Sequence, residues 1–207
     1  MNTSSFDTLR KELISQRIEF QNQANHRLTL EAIHENILVV LNEIELITNK
    51  KLTKIGFYSA IRGEPNIQDS LIKWQKRLVH RKLALPICQP EKPLSFHAWD
   101  TTTQMHTGFA KIPEPDSTAA MEIDLLLVPC VGWQIQDKNV WRLGYGGGFY
   151  DRTLQAWDKL GKRPICIGIA FEFAQITQDK WHPKAHDYPL DGLITESQYY
   201  FSPSIAS

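Results

Sequence analysis

The apolar positions near the start of the chain recur every three or four residues, which is the spacing of an amphipathic helix. This spacing predicts one helix over residues 6–20 and a second over residues 28–46. Because each helix has one apolar face, we expect both to pack on a sheet. The apolar positions are Phe6, Leu9, Leu13, Ile14 and Ile18 in the first helix and Ile33, Ile37, Leu38, Leu41 and Ile44 in the second.

From residue 54 onwards, short apolar runs alternate with helical patterns. This order predicts one α/β domain over residues 1–207, a three-layer sandwich with a largely parallel central sheet and helices on both faces. The run at 121–129 is the most continuous, as expected for a central parallel strand. The other predicted strands are 54–58, 81–85 (closed by Pro86), 94–99, 164–171 and a terminal strand at 193–195. Two further helices are predicted at 67–79 and 150–160. Residues 101–120 are predicted to be mostly irregular with a rigid turn at 112–115, and residues 130–140 to form a loop.

Composition and charge narrow the class of protein. With 207 residues and 42% hydrophobic composition, the chain can bury a sizeable core. Lys plus Arg equals Asp plus Glu at 23 each, so we expect no nucleic-acid partner, and any phosphate site must be local. The three cysteines show no metal-binding spacing, and the first residues lack a signal-peptide pattern. We expect a monomeric cytoplasmic protein that does not act on membranes.

Four glycines fall within five residues, at 144 and 146–148, directly before a predicted helix. Glycine tolerates positive φ and lets a ligand approach the backbone closely, and the first N–H groups of a helix are unpaired donors. This combination predicts a phosphate site. Arg142 and Arg152 flank the loop as donors, and Asp151 supplies a carboxylate for a magnesium ion. A tight connection without a ligand is the alternative.

Spacing excludes the two commonest nucleotide loops. A Walker A loop needs a Gly-Lys pair followed by Ser or Thr, but Arg163 follows Gly161-Lys162. A dinucleotide fingerprint needs a third glycine where Phe149 stands.

Further candidates lie elsewhere in the chain. Arg10 and Arg17 are two turns apart on the first helix, so both could face one anion, although two solvated charges are the simpler interpretation. Glu64 follows a predicted strand, where ligands bind in open α/β sheets, although a solvated loop glutamate is equally compatible. The residues at 182 and 186 have the spacing of a helical histidine metal pair, but Pro183 argues against such a helix. We therefore predict no zinc site.

The motif over residues 142–154, Arg-Leu-Gly-Tyr-Gly-Gly-Gly-Phe-Tyr-Asp-Arg-Thr-Leu, resembles the signature of the 5-formyltetrahydrofolate cyclo-ligase family, also called 5,10-methenyltetrahydrofolate synthetases. The resemblance extends over nearly the whole chain. It includes the N-terminal helix with Arg10 and Arg17 and the segments at 63–65, 83–86, 112–115, 124–129 and 186–187.

This resemblance implies an ATP-dependent, magnesium-requiring ring closure. In that reaction, 5-formyltetrahydrofolate and ATP give 5,10-methenyltetrahydrofolate, ADP and phosphate, by phosphorylation of the formyl oxygen and attack of N10. Both nucleophiles belong to the substrate, so the protein positions reactants and neutralises charge. This agrees with a sequence in which we find no Ser-His-Asp arrangement and no activated cysteine.

The resemblance also implies roles for individual residues. Arg142 and Asp151 would be the catalytic pair, and Asp151 and Asp187 would bind Mg²⁺. The ATP-binding set would be Arg10, Arg142, Gly144, Gly146, Gly147, Gly148 and Tyr150. The folate-binding set would be Ser59, Glu64, Tyr145, Phe149 and Tyr150, with Glu64 on the pterin N–H groups.

The sequence departs from the family pattern at three places. Phe6 stands where the family often has a phosphate-binding lysine, and Gly147 stands where some members have a lysine. Ala110 and Lys111 replace a tryptophan that some members carry before the Ile-Pro-x-Pro segment. A folate- or nucleotide-binding protein without turnover is therefore the main alternative. An isomerase or a CoA transferase of similar architecture is a third, but we find no catalytic base for either.

Overall fold

The computed structural model describes residues 3–116 and 119–206 of the chain. Residues 1, 2, 117, 118 and 207, which belong to the predicted 1–207 domain, lie outside that part, and the single-domain assignment stays a prediction. The helices are α1 (Thr3–Phe20), α2 (His26–Thr48), α3 (Gln68–Lys76) and α4 (Phe149–Lys159), with short 3₁₀ turns at Phe109–Lys111, Glu172–Ala174 and Pro203–Ala206.

A seven-stranded sheet forms the centre of the fold, in the order β11-β10-β9-β6-β1-β2-β3. The five inner strands are parallel, and both edge strands pair antiparallel. The strands are β1 (Lys54–Gly56), β2 (Lys82–Ile87), β3 (Ser95–Trp99), β6 (Leu125–Pro129), β9 (Ile165–Ile169), β10 (Gly192–Ile194) and β11 (Tyr199–Phe201). Two hairpins stand apart from it, β4 (Met105–Thr107) with β5 (Pro113–Pro115) and β7 (Gly132–Gln136) with β8 (Asn139–Leu143).

The central strand β6 shows how the layers form. All five of its residues are buried, as expected for a strand covered on both faces. Leu125 and Leu127 join the core under α2 and α3, whereas Leu126 and Val128 join the core under α1, α4 and the β7–β8 hairpin. The alternation of side chains along a strand thus supplies two cores from one sheet. The predicted three-layer sandwich is confirmed.

Four local predictions were wrong. Pro113–Pro115 is not a turn but strand β5, and residues 130–140 form most of the β7–β8 hairpin rather than a loop. Pro86 does not end β2, which continues to Ile87. The pairing of β2 with β1 stops at Ala84, so the backbone N–H that proline lacks is not needed on that side. The strand at 193–195 is not terminal, because β11 pairs with it. In each case the deciding partner is distant in sequence or lies on another element.

The predicted helices are confirmed, with α3 ending three residues earlier than expected. Within the described residues, no helix combines the length and apolar content needed to cross a membrane.

Candidate active site

One cavity of about 750 Å³ lies where the carboxyl ends of β1 and β6 meet the glycine loop. Its volume is typical of small-molecule sites, and its position follows the rule that ligands bind at the carboxyl ends of strands in open α/β sheets. Every site residue implied by the family resemblance lines it: Arg10, Ser59, Glu64, Arg142, Gly144, Tyr145, Gly146, Gly147, Gly148, Phe149, Tyr150, Asp151 and Asp187. Arg152, which the sequence also predicted as a phosphate donor, is not among the lining residues. The chain therefore gathers these distant segments at one place.

The glycine loop joins β8 to the N-terminus of α4. Gly146 and Gly148 have φ of 90° and 65°, the left-handed region that favours glycine. Gly148 is the N-cap of α4 and has no side chain to cap it, so the first N–H groups of the helix remain available to a ligand. The positive end of the helix dipole adds to this, and the loop is suited to bind an anion.

Two arginines are hydrogen-bonded to the loop, one from α1 and one from α4. Arg10 Nε, on α1, donates to the carbonyl of Gly144 at 2.9 Å, and its Nη1 pairs with Asp7. Arg152 Nη2 donates to the carbonyl of Gly147 at 2.8 Å. Both guanidinium groups thus lie beside the loop with donors left over for a ligand.

Arg142 is the most enclosed cation of the site, with only 5% of its side chain exposed. Its Nη2 lies 3.1 Å from Asp151 Oδ2, and its guanidinium carbon lies 5.0 Å from the centre of the Tyr150 ring. A Cβ at position 144 would lie 2.5 Å from Arg142 Nη1, so any other residue there would force the guanidinium to move. Arg142 Nε is buried without a hydrogen-bond partner among the described residues.

Glu64 is the buried acid on the other side of the cavity, with 2% of its side chain exposed. Its Oε2 accepts from the N–H of Ile61 at 2.9 Å, and its Oε1 accepts from the hydroxyl of Tyr145 at 2.8 Å. Burial raises the pKa of the Glu64 carboxyl, and the charge of Arg17 together with these hydrogen bonds opposes the rise. The alternative of a solvated loop glutamate is therefore wrong.

Arg17 does not reach the cavity with Arg10. It is buried beneath Glu64, 3.9 Å from its Oε1, and it donates to the carbonyls of Arg62 and Cys130 and to the hydroxyl of Tyr145. Both sequence-based interpretations of Arg17, a shared anion ligand and a solvated charge, are thus replaced by a buried structural role.

The aromatic wall of the cavity continues from the glycine loop into α4. Phe149 lies under the guanidinium of Arg152 at 5.0 Å, and 5.9 Å from the exposed Phe109 of the β4–β5 hairpin. Ser59 lines the same region, where its hydroxyl donates to the carbonyl of Pro113 at 2.8 Å and so ties the end of β1 to that hairpin. Flat aromatic faces beside a buried acid suit a planar heterocycle with N–H donors.

Two of the lining residues are candidate metal ligands, Asp151 and Asp187. Asp187 Oδ2 accepts from the N–H of Lys184 at 2.6 Å, while Asp151 is paired with Arg142. No group of three or more His, Cys, Asp or Glu side chains forms a cage within the described residues. Two carboxylates without a cage fit Mg²⁺, which retains several waters and is bound by one or two carboxylates together with substrate phosphates.

A model of the 5-formyltetrahydrofolate cyclo-ligase family matches residues 2–196 of the chain. The chain belongs to that family.

Individual relatives agree with this assignment. The chain is 30% identical to the 5-formyltetrahydrofolate cyclo-ligase of Haemophilus influenzae over 208 residues, covering 94% of this chain and 99% of the relative. It is also 30% identical to the Escherichia coli K12 enzyme of that name over 127 residues, covering 58% and 66%.

Two solved structures share the cyclo-ligase fold. The 5,10-methenyltetrahydrofolate synthetase of Aquifex aeolicus superposes with a TM-score of 0.70 at 23% identity, covering 96% of this chain and 93% of that one. The Mycoplasma pneumoniae synthetase gives 0.66 at 22% identity, covering 92% and 98%. At these identities the likeness supports the fold alone.

A lysine from another segment lies beside Phe6, the residue that stands where the family often has a lysine. The Nζ of Lys184 lies 5.2 Å from the centre of the Phe6 ring, and both residues line the cavity. Lys184 belongs to the turn that ends at Asp187. Sequence reasoning missed this cyclo-ligase lysine because nothing in the local pattern links residue 184 to the N-terminal helix.

Proposed function

We propose that this cyclo-ligase family member converts 5-formyltetrahydrofolate and Mg-ATP into 5,10-methenyltetrahydrofolate, ADP and phosphate. One observation carries the proposal: a glycine loop at the N-terminus of a helix and a buried, hydrogen-bonded acid open into the same cavity. The first suits a triphosphate and the second suits the N–H donors of a pterin. Its lining therefore fits both substrates of the reaction.

On the nucleotide side, the backbone N–H groups of the loop and α4 would bind phosphate oxygens. Arg10 and Arg142 would add charge-assisted hydrogen bonds, and Lys184 a further positive charge. Gly144 and Gly146–Gly148 leave room for the phosphates to approach the backbone, and Tyr150 holds the Arg142 guanidinium at its ring face.

We propose that Asp151 and Asp187 hold the magnesium ion, directly or through water. When bound, Mg²⁺ would neutralise charge on the phosphates. Asp151 would then share its carboxylate between the ion and Arg142, so that the arginine and the metal are placed on the same phosphates. Arg142 and Asp151 are for this reason the proposed catalytic pair.

On the folate side, Glu64 would accept hydrogen bonds from the pterin, with Phe149 and Tyr150 bordering its ring and Ser59 and Tyr145 completing the pocket. The carboxylate suits this role because Ile61 and Tyr145 each donate to one of its oxygens, and both oxygens can still accept from the pterin. An analogue without those N–H groups would leave the buried carboxylate without hydrogen-bond donors, which costs binding free energy. Folates should therefore bind more tightly than such analogues.

The chemistry then needs no protein nucleophile. The formyl oxygen attacks the γ-phosphorus and ADP leaves. N10 then attacks the activated carbon and loses its proton, and the C–O bond breaks with release of phosphate, which takes up that proton. The protein contributes alignment of the two substrates, arginine charge on the transferring group and exclusion of water. The monomeric state and the cytoplasmic location expected from the sequence stay predictions.

The proposal is tested by following the near-ultraviolet absorbance of the methenyl product with purified protein, 5-formyltetrahydrofolate and Mg-ATP. ATP-dependent growth of that band, lost in Asp151→Ala, is the expected result, with circular dichroism checking that the variant is folded. Tight folate binding without product would instead support the alternative, a binding protein without turnover, which the substitution of Phe6 for the family lysine suggests.

A further inference from the structure

Tyr145 is the one residue with a side chain within the glycine run at 144–148. Its hydroxyl donates to Glu64 Oε1 at 2.8 Å and accepts from Arg17 Nη2. The loop proposed to wrap the phosphates is thereby bonded to the acid proposed to hold the pterin. The two elements are 81 residues apart in sequence.

The ring of Tyr145 is held as well as its hydroxyl. The guanidinium carbons of Arg17 and Arg62 lie 5.7 Å and 5.4 Å from the ring centre. Arg17 in turn donates from Nε to the carbonyl of Arg62 at 3.0 Å and from Nη1 to the carbonyl of Cys130 at 3.2 Å. Arg62 has a left-handed backbone, with φ of 48°, which costs energy in a non-glycine residue and so needs such support.

The hydroxyl also completes the hydrogen bonding of the acid. Glu64 Oε2 is bound by the N–H of Ile61, and Oε1 has the hydroxyl of Tyr145. The hydrogen bond from Tyr145 lowers the pKa of Glu64, against the larger effect of burial, which raises it. Removing the hydroxyl would leave one carboxylate oxygen less firmly oriented and the ionised form less favoured.

We propose that Tyr145 is a positioning residue that couples the two substrate subsites: it orients Glu64 for the folate and makes that orientation depend on the phosphate-bound state of the glycine loop. The inference rests on the proposed function. Phosphate binding would order the loop, Tyr145 would then hold Glu64 in place, and less entropy would be lost when the folate binds. By reciprocity, folate would strengthen nucleotide binding by the same factor.

The test is Tyr145→Phe, which removes the hydroxyl and keeps the ring between its arginines. The matched control is Tyr199→Phe, because the hydroxyl of Tyr199 donates to Glu43 Oε1 at the same 2.8 Å but on the surface, away from the cavity. The affinity for 5-formyltetrahydrofolate is measured calorimetrically with and without a non-hydrolysable Mg-ATP analogue. The KM for each substrate is measured across the acid pH range.

We expect the analogue to tighten folate binding by about fivefold or more in the unaltered protein and in Tyr199→Phe. In Tyr145→Phe this factor should fall towards one, and the KM for folate should rise about tenfold. The acid limb of the pH profile, where this KM rises as the pH falls, should move to higher pH. A purely structural tyrosine would alter neither the coupling factor nor the limb.

Unchanged coupling and an unchanged acid limb in Tyr145→Phe would overturn the inference while leaving the proposed function intact. Failure of the unaltered protein to bind folate or form product would overturn the proposed function, and the inference with it. The two failures are told apart because the first appears only in the variant.

Discussion

Replacing Gly148 by alanine, with Gly161→Ala as a matched control, tests whether the glycine loop acts on the nucleotide. The two glycines border opposite ends of α4 and have nearly equal left-handed φ angles, 65° and 62°. Alanine in that conformation costs about 1–2 kcal/mol, of which about 0.4–1 kcal/mol is recovered because the unfolded chain has less entropy. The backbone conformation alone should therefore lower the free energy of unfolding by about 1 kcal/mol in each variant.

The surroundings of the two added methyl groups differ. A Cβ at 148 would lie 2.7 Å from Nη1 of Arg152, whereas at 161 nothing lies within 4 Å. Arg152 must move, and its hydrogen bond to the carbonyl of Gly147 will be disturbed. Because that bond holds the loop in place, we expect its disturbance to remove one charge-assisted hydrogen bond between the loop and the phosphate. Such a loss costs about 1.5–3 kcal/mol, which corresponds to at least about tenfold in affinity. Only Gly148→Ala should raise the KM for ATP to that extent.

The assay combines urea unfolding, followed by tryptophan fluorescence, with initial rates of methenyl formation at varied ATP. A loss of stability in both variants, together with an increased KM for ATP in Gly148→Ala alone, would support a loop that binds phosphate. An unchanged KM in that variant, or an equal increase in Gly161→Ala, would show that the loop is only a tight connection, which is the alternative that the sequence left open.

Three further predictions concern charges around the cavity. Asp151→Asn keeps the shape of the side chain but leaves Arg142 without its carboxylate. We expect a loss of about 1–3 kcal/mol in the free energy of unfolding measured in urea, and a fall in kcat/KM of about 100-fold or more that added Mg²⁺ partly restores. Full activity would contradict the proposed pair. The pKa of Glu64 is raised by burial, so the folded protein loses stability as the pH rises from the ordinary pKa of a glutamate through the raised one. The advantage of the unaltered protein over Glu64→Gln in free energy of unfolding should therefore shrink over that interval, and growth with pH would contradict the assignment. Lys184→Met should raise the KM for ATP, whereas Lys180→Met, on the same segment but outside the cavity, should not; equal effects would remove Lys184 from the nucleotide site.

The glycine loop could be predicted from the sequence because the residues that define it are neighbours in the chain. Four glycines before a helix, flanked by arginines and an aspartate, predict an anion site within about a dozen residues, because backbone donors need no distant partner. The central strand at Leu125–Pro129 was accessible for a related reason, since only burial on both faces tolerates so continuous an apolar run.

The β4–β5 and β7–β8 hairpins were missed because their sequences are not typical of strands. Prolines at both ends of β5 suggest a turn, but the strand pairs with β4 alone, so the missing N–H groups are tolerated at its free edge. In β7–β8, polar residues such as Gln134 interrupt the apolar pattern, and the burial of both Gln134 and Trp133 depends on the sheet beneath them. Pairing partners, rather than local propensity, determined both hairpins.

By itself, the sequence determined the periodicity of the helices, the two-sided burial of the sheet and the placement of a glycine loop directly before a helix, because these depend on neighbours within a few residues. Only the tertiary structure decided that Arg10 faces the cavity while Arg17 is buried beneath Glu64, although both lie on one helix. It likewise brought Lys184 to Phe6 and Tyr145 to Glu64. Such contacts join residues far apart in the chain, and their geometry is set by how the helices and loops pack on the sheet.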